Sequence, residues 1–74
     1  MSSFPSKAVV EARRTRYRPG CCVELVSMED PYTDLKPGER GTVEFVDDTG
    51  TVFVKWNNGS TLGAVYGVDV IKKL

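Results

Sequence analysis

Histidine is absent from this sequence of 74 residues, and cysteine and tryptophan are scarce, with two copies and one copy. Without histidine the chain lacks the most frequent general base and the most frequent nitrogen ligand of zinc. A chain of this length forms one domain and leaves little room for a deep cleft with its own supporting residues. We therefore expect a non-enzymatic protein that carries no cofactor.

Long apolar segments are also missing. The sequence contains no run of 18 apolar residues and no apolar signal-peptide core near Met1, so it predicts neither membrane insertion nor secretion. A reduced, cytoplasmic setting is the expected location.

The two cysteines, Cys21 and Cys22, are adjacent. Neighbouring residues of a strand point to opposite faces, so these two thiols are poorly placed for a disulfide with each other. A structural zinc site needs about four nitrogen or sulfur donors, which this chain could supply only with carboxylates or a second subunit. We expect one small buried side chain and one exposed thiol, and no metal.

Net charge is zero overall, but the charge is divided unevenly along the chain. Residues 1–18 carry five basic residues and one acidic residue, a net +4, whereas residues 19–74 carry a net −4. This asymmetry indicates either a basic arm for an acidic partner or an arm that folds onto the acidic body of its own chain.

The residues between Gly38 and Gly59 predict a β-hairpin. Two alternating runs, residues 42–46 and 51–56, flank the turn sequence Asp47-Asp48-Thr49-Gly50. The turn explains these two aspartates better than a cation-binding loop does, because no regular series of oxygen ligands follows. Period-two alternation predicts a core nucleus, which consists of Val43, Phe45, Val52, Val54 and Trp56.

The rest of the chain supplies a helix and three further strands. Ser6 is the predicted N-cap of a helix over residues 7–16, which ends before Arg18-Pro19-Gly20. Residues 21–28, 60–65 and 70–74 predict strands, the last one pairing with the first. The expected fold is mainly β, a five-stranded Src-homology-3-like small barrel (residues 19–74) preceded by a tail and one α-helix (residues 1–18).

Six short segments, spread over almost the whole chain, form a pattern that is specific in combination although each piece alone is not. They are residues 4–7 (FPSK), 23–31 (VELVSMEDP), 37–43 (PGxxGTV), 46–50 (VDDxG), 54–60 (VxWxNGS) and 66–69 (YGVD). In this pattern the chain resembles a family of small uncharacterised domains common in phages, plasmids and integrated elements of Gram-positive bacteria. The resemblance implies a Src-homology-3-like barrel with an N-terminal helix, and it brings no known catalytic residues.

The chain departs from that family pattern in two places. Cys21-Cys22 replaces a pair that is more usually polar, such as Thr-Arg, and Asn57 stands where Asp is commoner. If the family shares a charge-based site near these positions, this member lacks it.

The end of the first strand, the long segment 29–39 and the later turn supply the residues expected to bind a protein. Aromatic residues and methionine are favoured at interfaces, and an acidic border suits a basic, nucleic-acid-binding partner. The candidates are Met28, Glu29, Asp30, Tyr32, Asp34, Leu35, Tyr66 and Asp69. Tyr32 and Leu35 have the alternative role of pinning the loop to the barrel.

Combined with the resemblance to mobile-element proteins, this surface predicts a module that binds a host protein, whose narrower form is an anti-CRISPR-like inhibitor of a host defence nuclease. The alternative is a nucleic-acid-binding barrel that uses its basic helix for phosphate contacts and stacking. Its candidates are Lys7, Arg13, Arg14, Arg16, Tyr17 and Arg18. A homodimer, formed through the helix or an exposed Cys22, is a further alternative.

Overall fold

Within the part of the chain that the structure describes, five antiparallel strands form one sheet and one helix precedes them. The computed structural model describes residues 5–29 and 35–74. The elements are α1 (Lys7–Arg16), β1 (Cys22–Ser27), β2 (Arg40–Val46), β3 (Val52–Trp56), β4 (Thr61–Ala64) and β5 (Val70–Lys73). The strand order is β4-β3-β2-β1-β5. The predicted mainly β fold with an N-terminal helix is confirmed at this level.

The sheet formed by the described strands has two free edges, β4 and β5. β5 pairs with β1, as predicted, and β4 pairs with β3. Among the described residues β4 and β5 are not paired with each other. The described strands therefore form an open sheet and not a closed barrel.

The turn between β2 and β3 is held by the carboxylate of Asp47. Its Oδ1 atom accepts hydrogen bonds from the backbone N–H groups of Thr49 and Thr51, at 2.9 and 3.0 Å, and from the Thr49 hydroxyl. Burial acts to raise the pKa of Asp47, but these hydrogen bonds outweigh it and lower the pKa below its usual range. Gly50 completes the turn with φ +80°, a conformation that favours glycine.

The core lies on one face of the sheet. Four of the five predicted nucleus residues are buried: Val43, Val52, Val54 and Trp56. The buried cluster also contains Tyr17, Val23, Leu25, Leu35, Val46, Ala64 and Ile71. Cys21 packs against this cluster while Cys22 is exposed, and both thiols are free. The exposed thiol was predicted correctly, but Cys21 is half-buried and not buried as expected.

Phe45 was predicted to be buried, and that prediction is wrong. The pairing of β2 with β3 shifts between Val43 and Phe45, which places an extra residue in β2. This bulge reverses the inward and outward alternation. Phe45 is consequently 51% exposed and stacks on Phe53 with ring centroids 4.7 Å apart, while Val46 turns into the core.

Helix α1 begins and ends as predicted. Ser6 is the N-cap, and its hydroxyl oxygen accepts a hydrogen bond from the backbone N–H of Val9 at 3.3 Å. Val10 and Tyr17 are buried on the side that faces the rest of the protein. Because a short helix is marginal alone in water, this docking stabilises it.

Two arginines of α1 bind the β2–β3 turn. Arg13 Nε donates to the carbonyl of Gly50 at 2.8 Å, and Arg14 Nε donates to the carbonyl of Val46 at 3.2 Å. Arg14 also forms an ion pair with Asp48 at 2.6 Å. Through these contacts α1 folds onto the body of its own chain, as one of the two alternatives expected, while Lys7, Arg16 and Arg18 remain exposed.

The Arg13 contact is predicted to stabilise the domain. Its guanidinium carbon lies 5.4 Å from the ring centre of Tyr17 and 5.0 Å from that of Tyr66, besides the bond to Gly50. Arg13→Met should lower the free energy of unfolding by about 1–2 kcal/mol, since a charge-assisted hydrogen bond is lost. Urea unfolding, followed by the fluorescence of Trp56, measures this.

Arg16→Met is the matched control on the same helix. Arg16 is exposed, and its guanidinium carbon lies 5.7 Å from the ring centre of Tyr17. Its replacement should change stability by no more than about 0.5 kcal/mol. Equal losses for the two variants would contradict the docking of α1 through Arg13.

Candidate functional site

A shallow pocket of about 220 Å³ lies at the border of the core, between β4 and the end of β1. Its apolar lining comes from Met28, Leu62, Val65 and Val68, and Gly63 contributes backbone. Glu29 and Asp69 are the charged residues of the lining. We call this feature the β4 pocket.

The shape of the β4 pocket depends on Asp69. Its Oδ2 atom accepts a hydrogen bond from the backbone N–H of Val65 at 2.9 Å, and its Oδ1 atom accepts one from the N–H of Glu29 at 3.1 Å. The N–H groups of Val68 and Asp69 both donate to the carbonyl of Val65. One carboxylate thus joins the turn after β4 to the segment after β1, and it leaves its negative charge at the pocket.

Exposed aliphatic side chains extend the pocket into a surface. Val65 and Val68 keep 43% and 45% of their surface exposed while they line the pocket. Glu29 is also exposed. Apolar side chains bordered by charged groups are typical of a protein-binding surface.

The structure brings together three of the predicted protein-binding residues, Met28, Glu29 and Asp69, around this pocket. Leu35 lies in the core instead, which agrees with its alternative role of pinning the loop. Tyr66 is exposed but its ring packs over Arg13, on the side of the helix. Asp30, Tyr32 and Asp34 lie outside the described residues.

Four lining residues were missed by the sequence reasoning: Leu62, Gly63, Val65 and Val68. Their place in β4 and the following turn was predicted. They lie beside Met28 because the segment after β1 is hydrogen-bonded to the turn after β4, through Glu29 and Asp69, which are 40 residues apart in the sequence. Local sequence carries no signal for that contact.

The candidate nucleic-acid-binding residues divide into two groups. Arg13 and Arg14 are engaged with the β2–β3 turn, and Tyr17 is only 6% exposed. A buried ring cannot stack on a base, so the predicted stacking role of Tyr17 does not fit this structure. The other three, which are Lys7, Arg16 and Arg18, are exposed.

A second concavity, of about 240 Å³, lies between the end of α1 and β2. It is lined by Arg14, Tyr17, Pro19, Phe45 and Val46. The bulge in β2 opens this groove by turning Phe45 outward. Its cation already bonds to Asp48, whereas the β4 pocket combines the exposed carboxylate of Glu29 with the exposed side chains of Val65 and Val68.

The outer face of β1 is occupied by ion pairs. Glu24 receives Lys72 Nζ at 3.2 Å and Arg40 Nε at 3.1 Å, which connects β1 to β5 and β2. The hydrogen bonds from Lys72 and from Arg40 lower the pKa of Glu24 below its usual range. These charges are satisfied within the chain and do not define a site.

The described residues offer no evident centre for metal chemistry. In residues 5–29 and 35–74, no three His, Cys, Asp or Glu side chains cluster closely enough to hold a metal ion. Nor does any helix within these ranges have the length and apolarity needed to cross a membrane.

Comparison with known proteins identifies the family and leaves the function open. Neither the curated proteins nor the solved structures give a significant match. Residues 6–74 match the family described as "Domain of unknown function (DUF4314)". Since this match covers nearly the entire chain, the protein belongs to that family of domains of unknown function.

Proposed function

We propose that this protein is a non-enzymatic binding module that acts by protein–protein contact through the β4 pocket. One observation carries the proposal. The exposed side chains of Val65 and Val68 line the same cavity as Met28, and the charged residues of that lining are Glu29 and Asp69. Apolar groups inside an acidic border favour a partner with an apolar anchor and basic surroundings.

The engagement of the helix supports protein rather than nucleic acid as the partner. The guanidinium groups of Arg13 and Arg14 already donate hydrogen bonds to acceptors in the same chain. The pocket border is negative and would repel a phosphate backbone.

The proposal has a narrower form. The five-stranded sheet, the N-terminal helix and the resemblance in residues 4–69 support a Src-homology-3-like small barrel encoded by a phage or another mobile element of Gram-positive bacteria. Its partner would be a basic host protein in the cytoplasm, and the narrowest version is an anti-CRISPR-like inhibitor of a defence nuclease. Charge complementarity with a nucleic-acid-binding protein supports this version.

Affinity capture from a Gram-positive bacterial lysate tests the proposal, with the immobilised full chain as bait. Val68→Asp places a charge in the pocket lining and should reduce recovery of the partner by about tenfold or more, because apolar anchors dominate interface energetics. Quantitative mass spectrometry of the captured proteins gives the ratio between variants.

Val26→Asp is the matched control. Val26 is 44% exposed, nearly the same as Val68 at 45%, but it does not line the pocket. It should retain the partner. The proposal fails if every captured protein responds equally to the two substitutions or to neither.

A further inference from the structure

The outer edge of β4 is a free strand edge among the described residues. β4 is the terminal strand in the order β4-β3-β2-β1-β5, and it pairs on one side with β3. An unpaired edge presents backbone N–H and C=O groups on which another strand can form.

The direction of these backbone groups follows from the β3–β4 register. The N–H of Trp56 donates to the carbonyl of Ser60 at 2.9 Å, while the N–H of Ser60 donates to Asn58 Oδ1 in the turn, so this opposed pair makes one of the two bonds of a hydrogen-bonded pair. Alternation along an antiparallel pair then directs the backbone of Leu62 toward β3, and the backbones of Thr61 and Gly63 to the outer edge.

Two side-chain contacts agree with this alternation of backbone groups between β3 and the outer edge. The indole N–H of Trp56, on β3, donates to the carbonyl of Leu62 at 3.1 Å. At the next outward position the N–H of Val65 bonds to Asp69. The carboxylate of Asp69 therefore ends the free edge, which leaves Thr61 and Gly63 as its outward-directed residues.

Apart from its shortness, four residues, the β4 edge lacks the charges, prolines and bulges that block strand addition. Its sequence, Thr61–Ala64, contains no charged residue and no proline, and its pairing with β3 has no register shift. The opposite end of the sheet differs, because β5 carries Lys72 and Lys73. Lysines on an edge strand oppose pairing with another chain.

The same edge borders the β4 pocket. Leu62 and Gly63 belong to β4 and also line the pocket. A strand laid beside β4 would place alternate side chains over the cavity. The charged groups of the lining, Glu29 and Asp69, are both acidic, so the lining favours a basic segment.

We propose that the partner binds through an extended segment that adds to β4 as a sixth strand. One apolar side chain of the segment fills the β4 pocket, and a lysine or arginine beside it approaches Glu29. This inference rests on the proposed function and deepens it by naming the partner's chemistry. Backbone hydrogen bonds to Thr61 and Gly63 supply the register, and the pocket supplies the selectivity.

Two synthetic eight-residue peptides test the proposal against the full chain. Both alternate leucine with threonine, and they differ only in carrying lysine or glutamate at each end. The lysine peptide should bind about tenfold more tightly. Nuclear magnetic resonance should show slower exchange of the Thr61 and Gly63 amides with solvent on binding, while the amide of Leu62, already paired with β3, should change little.

Thr61→Pro removes one outward N–H, and edge strands tolerate proline. Thr61→Val, which retains the N–H, is the matched control. The proline variant should bind the lysine peptide about tenfold more weakly than the valine variant, and both should give dispersed amide spectra. Equal binding by the two variants, equal binding of the two peptides, or no binding of either peptide would overturn strand addition.

Sedimentation equilibrium of the chain alone tests whether a second copy of the protein occupies the β4 edge. We expect a monomer, and a dimer that Thr61→Pro dissociates would overturn the proposal by showing that a second copy fills the edge. Failure of the strand-addition proposal is distinguishable from failure of the proposed function. A captured partner that is lost with Val68→Asp but kept with Thr61→Pro leaves the binding surface valid and removes only the added strand.

Discussion

Gly41→Ala should abolish folding of the domain. A Cβ atom at this position would lie 2.6 Å from Val54 Cγ1, 2.7 Å from the carbonyl oxygen of Lys55 and 2.9 Å from Trp56 Cα. Two of these neighbours are backbone atoms of β3, so the strands must separate to admit one methyl group. Overpacking of this kind costs about 3 kcal/mol or more. A domain of this size has only a few kcal/mol to lose, and far-UV circular dichroism should show an unfolded chain.

Gly63→Ala is the control for this prediction. Its Cβ would meet side-chain atoms only, Thr51 Cγ2 at 2.5 Å and the Phe53 ring at 3.2 Å. Side chains can move where paired backbones cannot, so the expected loss is smaller, about 1 kcal/mol. A folded Gly41→Ala variant with the stability of the wild type would show that β2 and β3 do not approach as closely as described.

Trp56→Ala should also unfold the protein, whereas Phe45→Ala should not. Trp56 is 1% exposed and donates its indole N–H to Leu62, and loss of such a side chain costs about 3–5 kcal/mol. Phe45 is half exposed and loses mainly its stacking on Phe53, about 1 kcal/mol. Thermal unfolding followed by far-UV circular dichroism compares the two variants.

This comparison tests the bulge in β2 directly. Strict alternation would place both aromatic side chains in the core and predicts large losses for both. The bulge predicts a large loss for Trp56→Ala alone. Comparable destabilisation by the two substitutions would therefore contradict the register between Val43 and Phe45.

The contrast between Trp56 and Phe45 separates the features that the sequence predicts from those that depend on the folded structure. Alternation, capping and turn chemistry are local, and they predicted the helix, the hairpin and four of the five nucleus residues. The pairing of β5 with β1 was expected because it reduces the number of open strand edges. The bulge depends on how the backbone of β2 fits against β3. Glu44 and Phe45 contain no local signal that reverses the alternation.

The candidate surface was predictable only in part, for a similar reason. The composition around Met28 and Glu29 indicated an interface, and Asp69 was included with them. The carboxylate bonds of Asp69 and the cavity beside β4 are long-range features, so Leu62, Val65 and Val68 were not recognised. The uneven charge of the chain left two alternatives for the helix; the contacts of Arg13 and Arg14 show it docked on its own chain, while Lys7, Arg16 and Arg18 remain exposed.

The most direct test of the central claim compares two surfaces for binding of the captured partner, once purified. Isothermal titration calorimetry of the wild type, Val68→Asp and the double variant Arg16→Glu/Arg18→Glu gives three dissociation constants. Binding through the β4 pocket predicts that Val68→Asp weakens the complex by about tenfold or more and that the double variant changes it by less than about twofold. Strong weakening by the double variant with no effect of Val68→Asp would contradict the account and assign binding to the basic helix.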